Sequence, residues 1–145
     1  MQPPRHEGFS LVEIMIVVAL VATMAAITVP SVQGGIQRYE LLTSGQQVVS
    51  TIRAARIQAV SRNQVLKVRF DFPAARQYQV VDAVDAAVGL PQTLPGTQIT
   101  FGAFTDVQFT TAGRIAAPIV VNLTNGTAAQ NRTINVSASG QVRLQ

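Results

Sequence analysis

The sequence predicts an α+β fold, one long N-terminal helix laid against an antiparallel β-sheet head. Three observations predict it. Residues Phe9 to Val29 are apolar all round, with Glu13 the one charge in 21 positions. From Pro30 to Asn63 apolar residues recur every three or four positions, the period of a helix with one buried face. From Gln64 the period drops to two, the mark of half-buried strands. Four segments follow: a leader at 1–8, an apolar helix at 9–29, an amphipathic stem helix at 30–63 and a β-rich head at 64–145.

As an α-helix, Phe9–Val29 would be about 31 Å long, close to the roughly 30 Å hydrocarbon core of a bilayer. A short polar leader with Arg5 as its cation precedes it. Three readings compete: a cleaved secretory signal peptide, an ordinary membrane anchor, and a segment cut before the apolar stretch. Signal-peptide apolar regions run about 7–15 residues, shorter than this one. Glu13 speaks against the first two. A carboxylate near the centre of a membrane helix costs roughly 2.5–3.5 kcal/mol, and less near its end. No cation within reach in the same helix offsets it.

In the stem, Val32, Ile36, Tyr39 and Leu42 trace one stripe. Val49, Ile52, Arg56 and Ala59 continue it, with Val48, Ala55 and Val60 adjoining. Gly34, Gly35 and Gly45 each weaken a helix by about 1 kcal/mol relative to Ala. Together with Pro30 they are the expected points of bending or melting.

In the head, Leu66, Val68, Phe70 and Phe72 alternate with polar neighbours, and Tyr78 and Val80 continue the alternation after a turn at Pro73–Arg76. Val88–Gly96 reads as a loop, and Ile99–Phe101 and Val107–Phe109 as short strands. Thr111–Arg114 reads as a turn. Ile119, Val121 and Leu123 form one inward set, and Ile134, Val136 and Ala138 another, joined by a polar hairpin loop at Asn125–Asn131. Ser139-Gly140 turns the chain into a strand at Gln141–Leu144. Six or seven antiparallel strands in one sheet would cover the helix stripe.

Composition narrows the function. Charged residues make up 12% of the chain, about half the usual roughly 25%, while 48% is apolar, which excludes a disordered chain. There is no Cys, and the one His, His6, sits in the leader. No phosphate loop, nucleophile elbow or metal-ligand spacing occurs. Asp82 and Asp85 are the nearest acid pair, in an Ala-rich exposed turn. The expectation is no catalytic residue, no metal and no cofactor. Without the leader, ten cations face six acids. Arg53 and Arg56 lie on neighbouring helix turns, and Lys67 and Arg69 share a strand face, so a phosphate-binding patch is a second possibility beside ordinary solvated faces.

Gly8-Phe9-Ser10-Leu11-Val12-Glu13 resembles the cleavage and methylation signature of type IV pilins and type II secretion pseudopilins. The resemblance implies cleavage between Gly8 and Phe9 by a prepilin peptidase, and N-methylation of Phe9. It makes Glu13 the fifth residue of the mature chain, the family's glutamate position, and Pro30 the helix-kinking proline. A protonated Phe9 amine and a neighbour's Glu13 could then pair, offsetting two desolvation costs and setting assembly registry.

The head resembles a narrower group, the pseudopilin H and FimT-type minor pilins, on its phenylalanine-containing strand, Gly113-Arg114 and the Ile-containing strand pair with its Ser139-Gly140 turn. That implies a type IV pilin-like fold and a low-abundance subunit that helps initiate a filament near its tip. The implied setting is the bacterial inner membrane, with a single pass and a periplasmic head, and then the pseudopilus or pilus. The implied partners are other pilin or pseudopilin subunits and the inner-membrane assembly platform. Some FimT-type members bind DNA through a Gly-Arg-x-Arg motif. Here Gly140-Gln141-Val142-Arg143 keeps one of its two arginines, which adds Arg143 to the possible DNA contacts Arg53, Arg56, Lys67 and Arg69.

Overall fold

The computed structural model describes residues 9–145, with the side chains of 27–33 and 127–130 outside the description. The expected leader, and with it Gly8, lies outside the described residues. The chain divides into two compact units, Met1–Ile36 and Gln37–Gln145, and helix α1 (Leu11–Ser61) contributes to both.

In the first unit, the helix opens with Ile14 N–H donating to the Ser10 carbonyl at 3.2 Å. Glu13 lies in its first turn, where the exposed N–H groups favour a negative charge. Every described side chain from Phe9 to Ala26 is exposed. An apolar helix with no polar face cannot satisfy itself in water and belongs in a core or a membrane. Among the described residues no helix is long and apolar enough to cross a membrane; the described side chains of the apolar run stop at Ala26, short of the roughly 20 residues of a span. The backbone stays helical through Pro30, Gly34, Gly35 and Gly45, so none of these residues melts the helix.

The second unit packs the helix from Gln37 onward on eight strands. They are β1 (Leu66–Phe70), β2 (Gln77–Asp82), β3 (Gln92–Thr93), β4 (Thr100–Phe101), β5 (Val107–Phe109), β6 (Ile119–Asn125), β7 (Thr127–Val136) and β8 (Val142–Leu144). They form two antiparallel four-stranded sheets, ordered β3-β2-β1-β5 and β4-β6-β7-β8. This corrects the expected single sheet of six or seven strands. The crossover from β5 to β6 changes sheets, and two-residue strands such as β3 are too short to show a period.

The alternation in β1 holds, with Leu66, Val68 and Phe70 buried. The inward sets of β6 and β7 meet directly, Ile119 opposite Val136 and Val121 opposite Ile134. The expected loop at Asn125–Asn131 shrinks to a turn at Gly126, whose φ of 54° needs no Cβ. The pairing shifts register between Thr124 and Asn125.

The expected stripe holds at Val48, Val49, Ile52, Ala55 and Ala59, and differs towards the start of the stem and at Val60, which is exposed. Leu41, Ser44, Val48, Val49, Ile52, Ala55 and Ala59 are buried, while Ile36, Tyr39 and Leu42 are exposed, Tyr39 by 71%. The large residues suggested one face, but the small ones decide it. An ideal Cβ on Gly45 would lie 2.9 Å from Leu144 Cδ1, so a larger residue there would make the Leu144 side chain shift. The helix ends at Ser61 in a Schellman arrangement: Gln64 N–H donates to the Ala59 carbonyl at 3.1 Å and Asn63 N–H to the Val60 carbonyl at 3.3 Å. Asn63 takes the left-handed position, φ 50°, which Asn tolerates better than most side chains.

Candidate functional site

The N-terminal feature is simple. Phe9 is 80% exposed and precedes the helix, and Glu13, four residues on, is exposed in the first turn of α1. Glu13 makes no hydrogen bond or ion pair among the described residues. It therefore stands open to a partner from another molecule.

The five basic residues named as possible DNA contacts fall into two groups. Lys67 and Arg69 point from β1 to the same face, where carboxylates meet them. Lys67 Nζ lies 2.7 Å from Asp85 Oδ1. Arg69 lies 3.7 Å from Asp85 and 3.5 Å from Asp106, and its guanidinium sits 4.1 Å over the Phe72 ring. The hydrogen bond from Lys67 holds the Asp85 carboxyl below the usual carboxylate range, with help from the Lys67 and Arg69 charges. Asp82 does not pair with Asp85 as an acid couple. Its Oδ1 accepts the Val84 and Ala86 amides at 2.9 and 2.8 Å and shapes the turn.

Arg53, Arg56 and Arg143 form the second group. They line one open cleft of about 480 Å³ with Ile57, Gly140, Gln141 and Val142. Arg53 and Arg56 are three apart on α1, hence on one face, and β8 brings Arg143 beside them. Arg53 Nη2 donates to the Val142 carbonyl at 3.0 Å. Arg56 Nε donates to the Gly113 carbonyl at 2.9 Å. Gly140 turns against that arginine with φ 78°, and an ideal Cβ there would lie 2.7 Å from Arg56 Nε. One side chain thus hydrogen-bonds the Gly113 turn and packs against the Gly140 turn.

Sequence reasoning missed the role of Asp106, which lies far from Arg69 in the chain and is brought to it by β5. It also missed a buried polar position beside the core. Tyr78 is fully buried, and its hydroxyl has no hydrogen-bond partner of good geometry among the described residues. Burial pushes its pKa up to about 12, and the nearby Thr51 hydroxyl counters part of the rise. No group of three or more metal-ligating side chains occurs among the described residues.

No curated protein matches the chain. Among solved structures, the type IV minor pilin FimU of Pseudomonas aeruginosa is similar with a TM-score of 0.64 at 16% identity, over 74% of this chain and 90% of that one. A second crystal form of FimU gives 0.60. The minor pseudopilin EpsH from the type 2 secretion system of Vibrio cholerae gives 0.57 at 15% identity, over 73% of this chain and 96% of that one. At such identities the likeness shows a shared type IV pilin-like fold. The prokaryotic N-terminal methylation motif matches residues 3–29. The type II transport protein GspH profile matches residues 44–140, from the buried part of α1 through β7, and so the chain belongs to the GspH family.

Proposed function

We propose that this protein is a minor pseudopilin, a structural subunit held in the bacterial inner membrane and then built into the periplasmic pseudopilus of a type II secretion system. One observation carries the reading. An apolar helix exposed on all sides, bearing the lone acid Glu13, precedes a folded head of the GspH family. Such a helix needs an apolar environment, and a bilayer followed by a helical filament core supplies one at each stage. Cleavage between Gly8 and Phe9 by a prepilin peptidase frees the Phe9 amine, and N-methylation leaves it cationic. Glu13 of one subunit and that amine of the next then register the assembly. The inner-membrane assembly platform and the other pseudopilins are the partners, and Pro30 is where the apolar helix can bend to fit its neighbours.

The test is the mature N-terminus. Sequencing and mass spectrometry of the protein from membranes should find methylated Phe9 first, and Gly8→Ala should leave uncut precursor. A normal N-terminus in the Gly8→Ala variant would remove the reading. Secretion is separated from pilus biogenesis by deleting the gene. Loss of exoprotein secretion with surface pili retained is the expected outcome, and the reverse pattern would assign the subunit to a type IV pilus.

A further inference from the structure

The arginine cleft of the head has its own chemistry. Three guanidinium groups border it, and none of the ion pairs among the described residues involves Arg53, Arg56 or Arg143. Two of the three are fixed in place by backbone carbonyls, Arg53 by Val142 and Arg56 by Gly113. Each of these bonds uses one N–H of a five-donor fork. The remaining donors are held ready for an anion, with little further entropy to lose on binding. Arg143 is exposed at the rim.

The cleft fits one kind of anion better than another. Nucleic acid carries closely spaced charges along its length and needs a continuing basic track. Here the track does not continue to Lys67 and Arg69, whose charges Asp85 and Asp106 already meet. The cleft is also lined by Ile57, which is 68% exposed. An apolar wall beside a fork of donors suits a carboxylate carried on methylene groups, the pattern of an Asp or Glu side chain in a protein interface.

We propose that this cleft is the seat of an acidic side chain from a neighbouring filament subunit, bound by the Arg53, Arg56 and Arg143 guanidinium groups. The inference rests on the filament reading above. It adds a contact in the head, away from the apolar helix. The seat would select acidic partners from among subunits that share the same helix, because a subunit with a basic side chain there meets like charge.

The test uses the full-length chain in cells that carry the assembly apparatus. A photo-crosslinking p-benzoylphenylalanine replaces Gln141, an exposed residue in the cleft. A second probe replaces Val17, in the exposed apolar helix. The expected product at Gln141 is a cross-link to another filament subunit within a segment bearing Asp or Glu. Arg143→Glu should lower that yield about tenfold, the loss expected for a charge-assisted hydrogen bond. Replacing the partner's acid by Arg should restore the yield in that background. The Arg143 side chain is exposed and makes no hydrogen bond among the described residues, so this variant keeps the fold and the β7–β8 pairing.

An unchanged yield with Arg143→Glu, or a cross-linked segment without an acid, overturns the proposal. Duplex DNA shifted in a gel by the detergent-solubilised chain, and released by Arg143→Glu, overturns it in favour of nucleic acid. Cross-links at Val17 but none at Gln141 overturn the acid seat alone. Absence of both removes the filament reading as well.

Discussion

Replacing Gly140 by Ala should weaken the head more than any other single methyl group added at its surface turns. The backbone there has φ 78°, a left-handed conformation that costs a residue with a Cβ about 1–2 kcal/mol. The added methyl would also sit 2.7 Å from Arg56 Nε and 3.0 Å from its Cδ, against the Gly113 carbonyl. Arg56 would have to withdraw and give up its 2.9 Å bond to Gly113, worth about 1.5–3 kcal/mol for a charged donor. The expected loss is about 2.5–5 kcal/mol, a large part of the roughly 5–15 kcal/mol by which domains are stable.

Equilibrium urea unfolding of the full chain in detergent micelles, followed by circular dichroism, measures it. Gly89→Ala is the control, since a Cβ there meets nothing within 4 Å, and it should change stability by no more than about 0.5 kcal/mol. In an Arg56→Met background the Gly140→Ala cost should fall by about 1 kcal/mol or more, because the two positions share one contact. A loss under about 1 kcal/mol, or strict additivity with Arg56→Met, would refute the latch.

Three further outcomes are expected. Burial raises the Tyr78 pKa from its ordinary 10.0 to about 12, so its contribution is fully present below pH 10 and is lost as pH rises towards 12. Stability should fall by about 2 kcal/mol across that window, and Tyr78→Phe should flatten the fall in a pH series of unfolding curves. Asn63→Gly should match or slightly exceed the parent, whereas Asn63→Val should cost about 1–2 kcal/mol, because the αL position at the helix end excludes β-branched side chains; thermal unfolding distinguishes them. Glu13→Leu should leave membrane insertion intact and lower incorporation into filaments at least about tenfold, since an unpaired amine would remain in an apolar core; quantitative immunoblotting of sheared filaments against membranes reads this out.

Much of the fold was written in local periodicity. The change from helix period to strand period at Gln64, the strand at Val107–Phe109 and the facing sets of β6 and β7 all follow from apolar spacing. What spacing could not reveal was the choice between two helix faces. Tyr39 and Leu42 look like core residues on their own, but Ser44, Gly45, Ala55 and Ala59 leave room for strands to come close, and that room depends on distant partners such as Leu144. The Asn125-Gly126 pair was a readable hairpin signal, and the polar residues after it concealed a strand. At the candidate sites the residue types were legible and their groupings were not. Five basic residues divide into two clusters because Asp85 and Asp106 arrive through turns and strand pairing, which no linear pattern records.

Gly45 has one more consequence, in the axial direction. The residues one helical turn away from it are Leu41 and Leu42 on one side and Val48 and Val49 on the other. Sliding α1 along its axis by a turn, in either sense, would bring one of these bulky side chains to the place where Leu144 now meets a hydrogen atom. Gly45 therefore favours one register of the helix against Leu144. A pull along the helix would meet no gradual slippage within the head, only the cost of opening its core. A subunit used in an extending filament would then transmit load at fixed register until the whole sandwich of helix and sheets gave way.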